Sequence, residues 1–240
     1  KVGRGQGFYS AEDAESALDA GEPKVKEEGA FYVWEKKEID RLLGEDAEVF
    51  NYYFGVNDYG NAPQGSDPHS VFAEKNILYI AHSISETSNK FEKPTDAVGQ
   101  IIEEGKKILF EAREKRPKSH LDDKILTTWN GLMITAFAKA YQAFGEAKYL
   151  ESSQKSAEFI ITNLYRPDSH TLMHRYRDGE AKIEGTLEDY SFFVQGLIDL
   201  YESCFDERYL EYAVQLTETM INDFYDSEEG GFFDTSGKDK

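Results

Sequence analysis

From Lys93 onward, apolar residues recur at helical spacing. In "TDAVGQIIEEGKKILFEAREKR" Val98, Ile101, Ile102, Gly105, Ile108 and Leu109 fall on one stripe. The pattern predicts an amphipathic helix that starts near Pro94 and stops before Pro117. Residues 126–144 repeat the spacing with Leu132, Met133, Ala136, Phe137, Ala140, Tyr141 and Phe144. This segment is apolar round most of its circumference, which predicts a helix covered on all sides with Phe137 in the core. Residues 147–164 are amphipathic, with Leu150, Ala157, Phe159, Ile160 and Leu164 on the inner face. A second all-round apolar helix is predicted at 187–204 and a second amphipathic one at 207–224.

These pairs are an internal repeat. "AKYLESSQKSAEFIITNLY" matches "ERYLEYAVQLTETMINDFY" with Tyr149 on Tyr209, and 209 − 149 = 60. Leu150 and Leu210, Glu158 and Glu218, and Tyr165 and Tyr225 keep the same offset. "TLMH" at 171–174 falls on "GFFD" at 231–234, two short extended pieces. Each unit therefore reads as a buried helix, an outer amphipathic helix and a short strand. Hairpins of this kind stack in a line or close into a ring. First helices that are apolar nearly all round favour the ring, so the expected fold is mainly α: an α/α toroid fragment with short β-hairpins.

The first third is different. "GQGFYSAEDAES" and "EEGAFYVWEKKEI" each carry a glycine followed by an aromatic, strand-like piece, and 16–29 between them reads as a solvated loop. Residues 35–43 and 46–54 predict two short helices, and the Gly-, Pro-, Asn- and Asp-rich stretch 56–76 predicts a long loop. No linker divides the chain, so a single toroid domain over 1–240, incomplete at both ends, is expected. The first residues contain no apolar signal-peptide core. Their strand-like Gly-Phe-Tyr arrives without a preceding element, which gives the expectation of a fragment.

Charge narrows the ligand classes. Lys and Arg number 27 against 46 Asp and Glu, so the formal net charge is −19 over 240 residues. Such a surface repels phosphate backbones and anionic membranes, and leaves neutral or cationic small molecules open. The one cysteine, Cys204, forms no internal disulfide, and a cytoplasmic setting is expected. No run is long enough to span a membrane. The histidines, His69, His82, His120, His170 and His174, show no metal-binding spacing. Gly3, Gly5 and Gly7 lack the strand and helix of a dinucleotide fingerprint. No metal or cofactor is therefore expected.

The repeat register locates candidate chemistry. Since 189 − 60 = 129, Asp189 falls on Trp129 and Tyr190 on Asn130, at the starts of the two buried helices. In a ring, parallel inner helices gather their starts at one end. Glu188 and Asp189 would then meet Trp129, Asn130 and Tyr190 there, with Asp122 and Asp123 on the rim. Trp129 and Asp189 would approach each other inside the pocket. Carboxylates over an aromatic floor suit a carbohydrate-like ligand, because aromatic faces stack on the C–H face of a sugar and carboxylates accept from its hydroxyls. Asp123, Glu188 and Asp189 are the acid/base candidates. Asp122, Trp129, Asn130 and Tyr190 are the candidate ligand contacts, together with Glu12 and Asp13 of "SAED". The plainer reading is capping. Thr186-x-x-Asp189 fits a capping pattern, first-turn acids suit a helix dipole, and Ser10 or Asp13 would serve as a cap. Two carboxyl groups facing one cavity at roughly 5–10 Å would mark a glycosidase. Acids tied to backbone would mark a non-catalytic module.

"GFYSAEDAES", "GAFYVWEKKEI", "DDKILTTWNGLMI", "LEDYSFFVQGLIDLY" and "GGFFDT", in this order, resemble the spermatogenesis-associated family that joins a thioredoxin-like domain to a six-hairpin α/α toroid. The motifs span essentially the whole chain. The resemblance implies a six-hairpin glycosidase-like toroid related to N-acylglucosamine 2-epimerases, and a thioredoxin-like partner domain upstream in the same full-length chain. The epimerases' pair of histidines has no counterpart at the matching helix starts.

Overall fold

The computed structural model describes residues 7–18, 21–63 and 72–236. His69, Gly3, Gly5 and the middle of the expected 56–76 loop lie outside those residues. The chain divides into two compact units, one of residues 12–120 and one of residues 1–11 with 121–240.

Short strands β1 (Ala11–Glu12), β2 (Glu15–Ala17) and β3 (Lys26–Glu28) come first. β2 and β3 form an antiparallel hairpin with Glu15 opposite Glu28, so the stretch read as a plain loop is partly paired. Strands of three residues are too short to show a period of two, which is why the pattern did not reveal them. β4 (Trp34–Glu35) pairs with β5 (Lys75–Asn76). Helices α1 (Lys36–Leu43) and α2 (Ala47–Tyr53) follow β4, joined by one short 3-10 turn at Gly44–Asp46. α3 (Ile84–Phe91) opens on a capping box. Ser83 Oγ accepts from the Glu86 N–H, and the Glu86 carboxylate accepts from the Ser83 N–H. α4 (Thr95–Arg113) buries Val98, Ile102, Gly105 and Leu109, the stripe expected for it. A Cβ at Gly105 would meet the Phe50 ring at 2.5 Å, so the missing side chain lets α2 lie close on α4. The core of this unit is Trp34, Ile39, Phe50, Val98, Ile102 and Leu109. Arg116 closes it from outside, over the Trp34 ring at 3.9 Å, while bonding the Val33 carbonyl and Glu38.

The second unit holds β6 (Leu121–Asp122), β7 (Ile125–Leu126), α5 (Thr127–Phe144) and α6 (Ala147–Asn163), followed by β8 (Tyr165–Arg166), β9 (Thr171–Arg177), β10 (Glu180–Glu184), α7 (Leu187–Cys204) and α8 (Glu207–Phe224). α5 ends where Gly145 turns left-handed at φ +70 and its N–H reaches the Tyr141 carbonyl. β9 pairs antiparallel with β7, β8 and β10.

α5 and α7 lie side by side and parallel. Thr128 meets Asp189, Lys139 meets Asp199 and Gln142 meets Ser203, so the offset stays near 60 along the contact. α6 runs antiparallel to α5, with Ser156 bonded to Asn130 and Ser153 to Ile134. The repeat extends to the strands. Tyr165 pairs with Leu172 in the first repeat and Tyr225 with Phe232 in the second, both partners displaced by 225 − 165 = 60. At its closest, α5 passes α7 through two glycines. A Cβ on Gly131 would lie 2.6 Å from the Phe192 backbone, and one on Gly196 would lie 2.8 Å from the Gly131 carbonyl. The core joins Ile134, Phe159, Ile160, Leu172, Phe193 and Leu197.

Two expectations are corrected. α5 is open along one stripe, with Trp129, Leu132 and Phe144 exposed, because its apolar circumference exceeds what α6, α7 and β9 cover. Phe137 is half-buried and stacks on Phe8 with ring centroids 5.3 Å apart. No helix among the described residues is long and apolar enough to cross a membrane.

Candidate functional site

The parallel packing of α5 and α7 brings their starts together, and Asp189 is the fastening. Its side chain is 0% exposed. One carboxylate oxygen accepts from the Thr128 N–H at 2.9 Å and from the Thr128 hydroxyl. The other accepts from the Thr186 N–H at 2.9 Å, the Thr186 hydroxyl at 3.3 Å and His174 Nδ1 at 2.8 Å. Three elements are thereby tied to one carboxylate: the first turn of α5, the first turn of α7, and β9. The expected capping of α7 by Asp189 is present, and it extends across to the neighbouring helix. First-turn N–H groups have no partner within their own helix, so a buried anion satisfies two of them while facing both helix dipoles.

Asn130 and Tyr190 are also inside the packing. Asn130 accepts from the Phe8 N–H at 2.7 Å and the Ser156 hydroxyl at 3.0 Å, and donates to the Phe8 and Leu126 carbonyls. The Tyr190 hydroxyl accepts from the Leu172 N–H at 3.0 Å. Burial pushes the Tyr190 phenol up to about 12, against the opposite pull of that N–H. Both residues, expected as ligand contacts, act here as framework, since their polar atoms are consumed by neighbouring backbone.

The other candidates lie outside this framework. Trp129, one residue beyond Thr128, is 49% exposed. It does not share the interior with Asp189, as the register suggested. The residue next to it supplies the contact instead. Glu188 is exposed at the second position of α7. Asp123 lies 2.8 Å from Arg177 Nε, a charge contact without the direction of a hydrogen bond. Asp122 pairs with Lys124 at 3.1 Å. Burial raises the Asp122 pKa, but the hydrogen bonds and charge of Lys124 and the bond from Ser10 outweigh it, so the carboxyl sits below its ordinary value. Glu12 and Asp13 belong to the other unit. There Glu12 accepts from the Tyr32 hydroxyl at 3.2 Å, and the Asp13 N–H donates to the His120 carbonyl.

His174 is the residue that sequence reasoning passed over. Its link to Asp189 spans fifteen positions and depends on the β9 pairing, so no local spacing announces it. Among the described residues no cluster of three or more His, Cys, Asp or Glu side chains could hold a metal. A groove of about 670 Å³ lies in the 12–120 unit between Tyr53, Ile80, Ile84, Gly99 and Ile102. A cavity of about 470 Å³ in the other unit is lined by Tyr201, Leu210 and Val214. Neither is lined by the candidate residues.

The chain has relatives among known proteins. It is 35% identical over 249 residues to spermatogenesis-associated protein 20 of Homo sapiens, a match covering 96% of this chain and 31% of that protein. Over this span the two are homologous. An uncharacterised protein of Caenorhabditis elegans is 38% identical over 242 residues, covering 95% of this chain and 32% of its own length. The chain thus spans about a third of the length of the curated relatives it matches. No family model matches it. Among solved structures, cellobiose 2-epimerase from Spirochaeta thermophila aligns with a TM-score of 0.44 and 17% identity, over 47% of this chain and 29% of that one.

Proposed function

We propose that this protein binds a carbohydrate-like small molecule at the shared start of α5 and α7. The observation that carries the reading is Trp129. The chain has two tryptophans. Trp34 is 2% exposed under Arg116, as a core indole should be, whereas Trp129 stands half in solvent next to Thr128, which bonds Asp189. An indole face presents negative charge to the weakly positive C–H face of a sugar ring, which makes an exposed tryptophan a stacking platform. Asp122, Asp123 and Glu188 supply acceptors for hydroxyl groups. A net charge of −19 supports a neutral or cationic ligand and disfavours polyanions such as nucleic acid.

The pairing of the acids supports binding over turnover. Asp123 and Asp122 are held by Arg177 and Lys124, and Asp189 is spent on framework. Hydrolysis of a glycosidic bond at this site would fall to Asp123 and Glu188. In the longer protein implied by the relatives, the unit would serve an adjoining thioredoxin-like domain as its ligand-binding module, in a cytoplasmic setting consistent with the single Cys204.

The test is tryptophan emission during titration with a panel of mono- and disaccharides, using wild type and Trp129→Phe. A sugar should shift and protect emission in wild type and leave Trp129→Phe silent. Trp129→Ala should abolish binding with the melting temperature unchanged. A panel in which no sugar acts, or a Trp129→Ala variant that still binds, overturns the proposal.

A further inference from the structure

The fastening of the two helix starts is complete without His174. Thr128 and Thr186 offer two N–H groups and two hydroxyls to the Asp189 carboxylate. The imidazole is a fifth donor, and it differs from the others. Its side chain is 30% exposed while the acid it meets is 0% exposed. In the neutral ring, a buried carboxylate accepting from Nδ1 keeps the proton there and leaves a lone pair on Nε2. Among the described residues Nε2 makes no hydrogen bond.

A second observation lies across the ladder. β10 pairs with β9 through Lys182 and Arg175, then through Glu184 and Met173. The pair between them, Ile183 with His174, is missing, and Ile183 has φ +69. The left-handed region crowds a side chain branched at Cβ, so this is a strained position. Such strain persists where the surroundings impose it and gathers at functional sites. Here it falls beside a partly exposed member of the network.

The geometry points to His174 as a ligand-facing hydrogen-bond acceptor of the site, with Asp189 as its positioning residue. This rests on the carbohydrate reading given above. Trp129 follows Thr128 on α5 and His174 meets Asp189 from β9, so both adjoin the Thr128–Asp189 contact. A sugar stacked on Trp129 would present hydroxyls toward Nε2. A ligand O–H donates a hydrogen bond to the Nε2 lone pair and keeps its proton.

The experiment uses the full chain labelled with nitrogen-15, with D-glucose, D-mannose and their methyl glycosides as probes. Long-range proton–nitrogen correlations should show His174 protonated at Nδ1 and bare at Nε2. A saturating hexose should move the His174 Nε2 resonance together with the Trp129 indole. His174→Gln should weaken hexose binding about tenfold, the loss of one ligand hydrogen bond. Asp189→Asn should redistribute the tautomers. Should that variant fail to fold, the wild-type tautomer and His174→Gln decide the question. A proton on Nε2 in wild type overturns the inference. So does a hexose that moves the Trp129 indole and leaves His174 still, and that result leaves the carbohydrate reading standing. If no hexose moves either residue, the carbohydrate reading falls and this inference falls with it.

Discussion

Asp189 shows how much one side chain can settle. Replacing it with Ala leaves the amides of Thr128 and Thr186 without their acceptor, and the cost should be about 3 kcal/mol. Denaturant titration measures it, and a loss under about 1 kcal/mol would mean that water or a relaxed helix start replaces the carboxylate. Half of this arrangement is legible in the sequence. Thr186 and Asp189 are three apart and read as a capping pair, whereas Thr128 and His174 reach the acid only through packing. Glu35 offers a separate test. Hydrogen bonds from Lys37 and Lys75 lower its pKa from 4.5 to about 2. A carboxyl with a depressed folded-state value stabilises fully above its unfolded pKa, and that contribution fades as pH falls from about 4.5 toward 2. Glu35→Gln should flatten the melting temperature over that window and leave the neutral region little changed. An unaltered acid limb would show that the ion pairs with Lys37 and Lys75 do not form in solution.

At the level of elements, the α5–α7 seam depends on small residues. Gly131→Ala would force a Cβ to within 2.6 Å of Phe192 backbone atoms, which cannot swing aside as a side chain tip would. The expected cost is about 1–3 kcal/mol, read as a lower midpoint in urea. An unshifted midpoint would mean that the helices part without penalty. The 60-residue register made the pairing and the parallel direction of these helices readable in advance. It did not show which side of α5 stays uncovered, because an apolar circumference states what a helix tolerates and leaves open how many neighbours it meets. That ambiguity placed Phe137 deeper than it lies, and it placed Trp129 indoors. The register also equated Trp129 with Asp189, two residues that the packing treats in opposite ways.

For the whole chain, charge and organisation matter most. A net charge of −19 implies repulsion spread over the surface. Raising ionic strength from about 0.01 to about 0.15 M shortens the screening length from about 30 to about 8 Å and should raise the melting temperature. A fall would show that the exposed ion pairs outweigh the excess of acids. The division near residue 120 carries no Gly- or Ser-rich linker, so composition does not mark it. The carboxylate shared by two helix starts also sets an order in time. Helices ordinarily fray first at their ends, where amides lack partners and exchange with solvent quickly. Here the Thr128 and Thr186 amides are locked on a buried anion, so deuterium should enter them later than it enters the α5 amides near Phe144. The joined ends would be the last parts of these helices to open.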